Sequence, residues 1–182
     1  MVVAPALKGA AWLGAAVLAV GLIVVLAFYG QRPDSSLARF EAGGAMLSIM
    51  PDAVSEVIVS RGESRWRFSR SRAGEWTTAD GGTTGSPLRG HIDSGLRFLH
   101  VSAPQRVLQP DELTATSRSD FGLEPPRFSV SVRSSTAESF RIDFGSLNAQ
   151  GLAQYAQVSG HAEVLLLPSF VGDEWKAVLA SR

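Results

Sequence analysis

The chain has no cysteine among its 182 residues. That excludes disulfides, thiolate zinc sites, iron–sulfur clusters and cysteine nucleophiles together. An excess of charge of either sign is also missing: 17 basic residues balance 17 acidic ones. No global field therefore draws the protein to nucleic acid or keeps it off acidic surfaces. Lysine is nearly absent, with Lys8 and Lys176 its only occurrences, an arginine-for-lysine bias that fits a GC-rich bacterial coding sequence. Histidine is limited to His91, His100 and His161. The first two are nine residues apart on a predicted helix, which puts them on different faces, whereas a metal site needs convergent ligands. Neither a Gly-x-Ser-x-Gly elbow nor a Gly-rich phosphate loop occurs, so nucleophilic hydrolysis and nucleotide binding lack their usual carriers. The expectation is a protein without catalytic residues, metal or cofactor.

What is present begins with a long apolar run. From Gly9 to Gly30 the chain reads GAAWLGAAVLAVGLIVVLAFYG without a charge, and about 20 such residues cross a bilayer core of roughly 30 Å. Lys8 and Arg32 bracket it, and Trp12 and Tyr29 sit near its ends, where amphipathic rings favour the headgroup region. A cleaved secretory signal would have an apolar core of about 7–15 residues followed by small residues. This run is longer and leaves through Phe28, Tyr29, Gln31 and Arg32. It predicts an uncleaved single-span anchor over residues 1–32, with a polar tether over 33–44 and a domain over 45–182. The short N-terminal segment predicts a cytoplasmic N-terminus and an extracytoplasmic domain at the bacterial inner (plasma) membrane.

The remainder reads as α+β, mainly antiparallel sheet with two or three packed helices. Trp66 and Phe68 alternate with Arg65, Arg67 and Ser69; Phe128, Val130 and Val132 alternate with Ser129, Ser131 and Arg133; Phe140, Ile142 and Phe144 alternate with Arg141 and Asp143. Such patterns mark strands with one wet face. Residues 53–62 and 64–71 form a hairpin around Gly62 and Glu63, 75–79 a third strand, 105–109 a short extended piece, and 151–160 with 162–168 a last pair. Ser86 and Ser169 are expected to cap two helices. Leu88, Ile92, Leu96 and Leu99 line one helix, and Val171, Trp175, Val178 and Leu179 the other. Pro110, Asp111 and Glu112 open a shorter helical turn; Asp111, Glu112 and Asp120 are read as turn and helix-start chemistry.

Asp-Phe-Gly occurs twice, at Asp120–Gly122 and Asp143–Gly145. In protein kinases this tripeptide holds magnesium, but no strand lysine or catalytic-loop aspartate accompanies either copy. Both are read as backbone punctuation. Gly122 marks a turn, Pro125 and Pro126 force an extended approach to the next strand, and Gly145 is expected to end its strand.

The order of these features resembles the domain-of-unknown-function 4340 family. Phe121, Gly122, Leu123 and Pro126 match its turn of aromatic, glycine, leucine and proline before a strand. Gly145, Tyr155 and Trp76 match its later glycine, tyrosine strand and early tryptophan. The resemblance runs from about Val54 to Leu179 and implies a membrane-anchored bacterial protein, as relatives often are; some resemble auxiliary subunits linked to ABC transporters, including those of gliding motility. It implies structural roles for those turn residues and no catalytic ones. Longer members carry a second copy of the domain and a second span, which this sequence does not show.

Arg61, Arg65, Arg67, Arg70 and Arg72 crowd the first hairpin. Arg61, Arg65 and Arg67 are the candidate partner-binding residues, since arginine pairs with carboxylates and stacks on aromatic rings. The expected function is a non-enzymatic, membrane-anchored accessory or assembly subunit docking on an integral membrane complex, with transporters among the candidates. The lipid bilayer is the other partner, through the anchor; no nucleic acid and no small-molecule substrate is expected. The alternatives are an extracytoplasmic ligand-binding module and a maturation factor for a periplasmic enzyme.

Overall fold

Alternating residues of the first half zip into a meander. β1 (Val54–Arg61) and β2 (Ser64–Arg70) pair so that Val57 and Val59 face Phe68 and Trp66, across a turn whose Gly62 has φ +58°. β3 (Trp76–Thr78) joins β2. The second half is another meander: β5 (Phe128–Ser134), β6 (Ser139–Leu147), β7 (Ala153–Val158) and β8 (Val164–Pro168). β1 pairs with β5 and joins the two meanders, while β4 (Arg106–Leu108) closes the far edge against β8. The result is one eight-stranded sheet of order β3-β2-β1-β5-β6-β7-β8-β4, antiparallel throughout. Among the described residues of the same unit, two α-helices, α1 (Ser86–Val101) and α2 (Ser169–Ala180), and a short 3-10 helix (Pro51–Ala53) accompany the sheet in an α+β fold.

This computed structural model describes residues 19–21, 46–113 and 117–181. The chain divides into two units, Met1–Ala42 and Gly43–Arg182. In the first, only Ala19–Gly21 are described, and they are helical; the rest of the expected anchor and the tether lie outside the described residues. Among the described residues no helix is long and apolar enough to cross a membrane.

One face of the sheet is covered by the helices. Val57, Val59, Phe68, Val130, Ile142, Phe144 and Leu167 share a single buried cluster with Ile92, Leu96 and Leu99 of α1 and Val171, Trp175 and Val178 of α2. The two helices meet closely because α1 carries Gly95 at the contact: a Cβ there would lie 2.7 Å from Trp175 ring atoms. Arg70 points to the same side as Phe68 and joins the sheet edge to α1. Its guanidinium donates to Pro51 O (2.7 Å) and to Asp93 Oδ1 (2.6 Å), and it lies 4.7 Å over the Trp76 ring. Trp76 Nε1 donates to the same carboxylate oxygen at 2.9 Å. Asp93→Ala removes the shared acceptor of two donors, and Arg70 is mostly buried. It is expected to cost about 1.5–3 kcal/mol, the range for hydrogen bonds to charged groups; a denaturant melt with an unchanged midpoint would refute this.

Three local expectations need correction. Ser86 and Ser169 cap neither helix: the N-caps are Gly85 and Pro168, and neither helix has a side-chain cap. In α1 the first turn already closes from Arg89 N to Gly85 O, so Ser86 is helical. In α2 the strand runs straight into the helix, and the Ser169 N–H is taken by Leu152 O. The expected helical turn at Pro110 is a hydrogen-bonded turn, with Glu112 N donating to Gln109 O. There the Glu112 carboxylate accepts Gln109 N–H and pairs with Arg106; the backbone bond first, then the arginine, holds it below the usual carboxylate range. Gly145 lies inside β6, which continues to Leu147 with a register shift after Phe144.

Candidate functional site

The second face of the sheet has two parts. Over β6 and β7 it is covered by the segment 117–127. Phe121 packs on Tyr155 with ring centroids 4.7 Å apart, and Leu123, Ala153 and Val164 are buried outside the main cluster. The two Asp-Phe-Gly copies meet there. Ser146 N donates to Phe121 O at 2.7 Å. Gly122 has φ +66°, and a Cβ on it would crowd Ser146, whose backbone N would be 2.9 Å away. A Cβ on Gly145 would collide with Phe121 O and lie 3.1 Å from Leu123 Cγ. Each glycine thus lets one backbone lie directly on the other. Asp120 accepts the Ser117 N–H at 2.8 Å, and Asp143 pairs with Arg141 at 3.0 Å; the two carboxylates serve different contacts. Leu123 and Pro126 bridge each other beneath a cis Glu124–Pro125 peptide.

Over β2, β1, β5 and the near half of β6 the second face is uncovered, and the register stacks its polar residues in rows. Arg67, Ile58, Ser131 and Arg141 stand side by side; so do Ser69, Glu56, Arg133 and Ser139, and Arg65, Ser60, Ser129 and Asp143. Directly opposed side chains on neighbouring strands have Cβ atoms about 4.5–5.5 Å apart, so four arginines share this face with two carboxylates. Arg67 approaches Glu56 at 3.7 Å. Arg141 is held by Asp143 and, at 3.1 Å, by Ser129 Oγ. Arg65 and Arg133 have no ion pair or side-chain hydrogen bond among the described residues. Arg61 stands apart. It pairs with Ser64 at the hairpin end, on the register of Val57 and Val59 and not on that of Arg65 and Arg67. Arg70 faces the helices, so of the five hairpin arginines the strands bring only Arg65 and Arg67 onto this face.

Toward β7 the face sinks into a depression of about 530 Å³, lined by Ile58, Ser131, Arg133, Arg141, Ser159 and His161 among others. His161 Nδ1 lies 3.0 Å from Glu163 Oε1. That carboxylate is held below its usual range by its own backbone N–H first and then by His161. Ser159 lines the same hollow, yet no hydrogen bond joins it to His161 among the described residues, and a nucleophile needs that contact with its base. The other histidines go elsewhere: His91 Nδ1 meets Glu174 at 2.7 Å and His100 Nδ1 meets Leu47 O at 2.9 Å. Among the described residues no three histidine or carboxylate groups gather to hold a metal. Arg133 and Arg141 belong to the candidate face although the hairpin alone does not point to them; their place on the polar parity of their own strands is the signal that could have found them. No protein-family model matches the chain, and neither a curated protein nor a solved structure matches it.

Proposed function

We propose that the chain is a non-enzymatic accessory or assembly subunit. It is anchored in a bacterial membrane by the apolar run from Gly9 to Gly30 and docks through its uncovered sheet face on an integral membrane complex. The observation that carries this reading is the arginine face: Arg65, Arg67, Arg133 and Arg141 stand on one continuous surface with only Glu56 and Asp143 among them. Arginine favours association because its planar fork pairs with carboxylates in two places and its charge is weakly hydrated. An anchor would raise the local concentration of this face near membrane partners, so even weak docking would be occupied. The resemblance to the domain-of-unknown-function 4340 family points the same way.

The test is charge reversal on the polar register. Arg65→Glu with Arg67→Glu leaves the buried register of β2 untouched, so circular dichroism and melting should be close to wild type. Recovery of partner subunits after gentle detergent extraction should fall by on the order of tenfold, an affinity loss of about 1.4 kcal/mol. Unchanged recovery with a folded protein would remove this face as the docking surface. The depression beside Arg133 and Arg141 favours a second reading, an extracytoplasmic ligand-binding module. That reading predicts a small anionic molecule retained through purification and visible by mass spectrometry, where docking predicts stoichiometric subunits.

A further inference from the structure

A separate surface lies at the other end of the helices. α1 finishes with Phe98 and Val101, one turn apart, and Val101 is 65% exposed. Phe98 meets Phe170 at the start of α2, with ring centroids 5.1 Å apart, and Phe170 remains 47% exposed. The Ser169 N–H, next in the chain to Phe170, is held by the carbonyl of Leu152, whose side chain is 71% exposed. Leu147, on the other arm of the same β6–β7 hairpin, is also exposed. The uncovered sheet face contributes none of these five side chains. Exposed leucine or valine singly is ordinary, but a gathering of this kind marks an interaction surface.

Two observations say what covers it. The first is where the chain enters the domain. Leu47 N donates to the Leu99 carbonyl at 3.0 Å, and His100 Nδ1 reaches Leu47 O, so the chain enters the domain alongside the last turn of α1. Residues 31–45 separate that point from the end of the apolar run, and a chain of that length reaches no farther than about 50 Å even if fully extended. The second is the rim. Arg97 lies 5.8 Å over the Phe98 ring and has no ion pair among the described residues. A cation beside exposed aromatic and aliphatic side chains is the pattern of an interfacial membrane contact.

We infer that this end of the domain, carrying Phe98, Val101, Phe170, Leu152 and Leu147, rests in the headgroup region of the bilayer, with Arg97 meeting lipid phosphates. The inference rests on the anchored reading proposed above and is compatible with docking, because the patch shares no residue with the arginine sheet face.

The absence of cysteine makes the test direct. The full chain is reconstituted in phosphatidylethanolamine–phosphatidylglycerol vesicles with a single spin label at Val20→Cys, Leu152→Cys, Phe170→Cys or Arg65→Cys. Depth is read as collision with oxygen, which concentrates in the bilayer, relative to a water-soluble nickel chelate. The expected result is a severalfold higher oxygen-to-nickel ratio at positions 20, 152 and 170 than at 65. A label at 20 in the bilayer with 152 and 170 as aqueous as 65 overturns this inference and leaves the anchor standing. An aqueous label at 20 overturns the anchor and this inference with it. Labels at 152 and 170 shielded from both reagents mean that protein, such as a second copy of the chain, covers the patch, and overturn it as well.

Discussion

Gly145→Ala should unfold at a urea midpoint far below that of the wild type. The Cβ it adds would run into the carbonyl oxygen of Phe121, a backbone atom with no rotamer to escape through. Relief requires lifting the segment 117–127 off β6. That breaks the Ser146 N to Phe121 O bond at 2.7 Å and draws Phe121 from Tyr155 and Leu123 from its buried site. Overpacking costs about 1–3 kcal/mol and the lost hydrogen bond about 1 more. The sum of about 2–4 kcal/mol is a large share of the roughly 5–15 kcal/mol that holds a typical domain. Gly122→Ala acts on the same contact from the other side. Its φ of +66° is strained for a residue with a Cβ, and that atom would crowd Ser146, for about 1–3 kcal/mol. Ser146→Gly should recover part of the Gly122→Ala loss by removing the side chain in the way, and little of the Gly145→Ala loss, where the obstacle is backbone. Urea melts of the four variants decide the matter. A Gly145→Ala midpoint near wild type would mean that the segment is only loosely seated.

How much of this could be read in advance differs from element to element. The strands of both meanders are legible because Trp66 and Phe68 in β2, and Val130, Val132, Ile142 and Phe144 in β5 and β6, alternate with polar residues, and a pleat turns that alternation into two faces. The stripes of α1 and α2 were legible for the same reason at helical spacing: Leu88, Ile92, Leu96 and Leu99 are all buried, as are Val171, Trp175, Val178 and Leu179. The sheet order was not legible. It depends on β1 choosing β5, a pairing across about seventy residues that no local pattern encodes. That choice decides the candidate face, since Arg65 and Arg67 become neighbours of Arg133 and Arg141 only through it. Proximity in sequence groups Arg61 with Arg65 and Arg67, whereas one residue of register moves a side chain to the other face. In the sequence Gly145 reads as a stop because glycine usually punctuates; in the fold it is a strand residue kept small for an approaching backbone. The serines before α1 and α2 were natural caps by composition, yet the capping position falls one residue earlier in each helix.

The contact between α1 and α2 sets the last expectation. Trp175 is fully buried, and its ring lies where a side chain at residue 95 would begin. Trp175→Ala should cost about 3–5 kcal/mol, the range for large aromatics removed from a core. Gly95→Ala is the sharper test, because two effects oppose. Alanine favours a helix over glycine by about 0.8–1.0 kcal/mol, so on an open helix surface the change would stabilise. Here the new Cβ would stand 2.7 Å from Trp175 Cε2 and Cζ2 and 3.1 Å from Cη2. The helices would have to separate or the ring turn, and overpacking of about 1–3 kcal/mol should outweigh the propensity gain. Gly90 supplies the comparison: it lies in the same helix with nothing near its would-be Cβ, so Gly90→Ala should raise the melting temperature while Gly95→Ala lowers it. The indole Nε1 of Trp175 has no hydrogen-bond partner among the described residues, so Trp175→Phe forfeits packing but no hydrogen bond. It vacates part of the space that Gly95→Ala needs. The double variant Gly95→Ala with Trp175→Phe should therefore be more stable than the two single losses added together, by about 0.5–3 kcal/mol of coupling. Strict additivity, or equal and favourable effects of alanine at positions 90 and 95, would show that the helices have room between them and that Gly95 is not what lets them close.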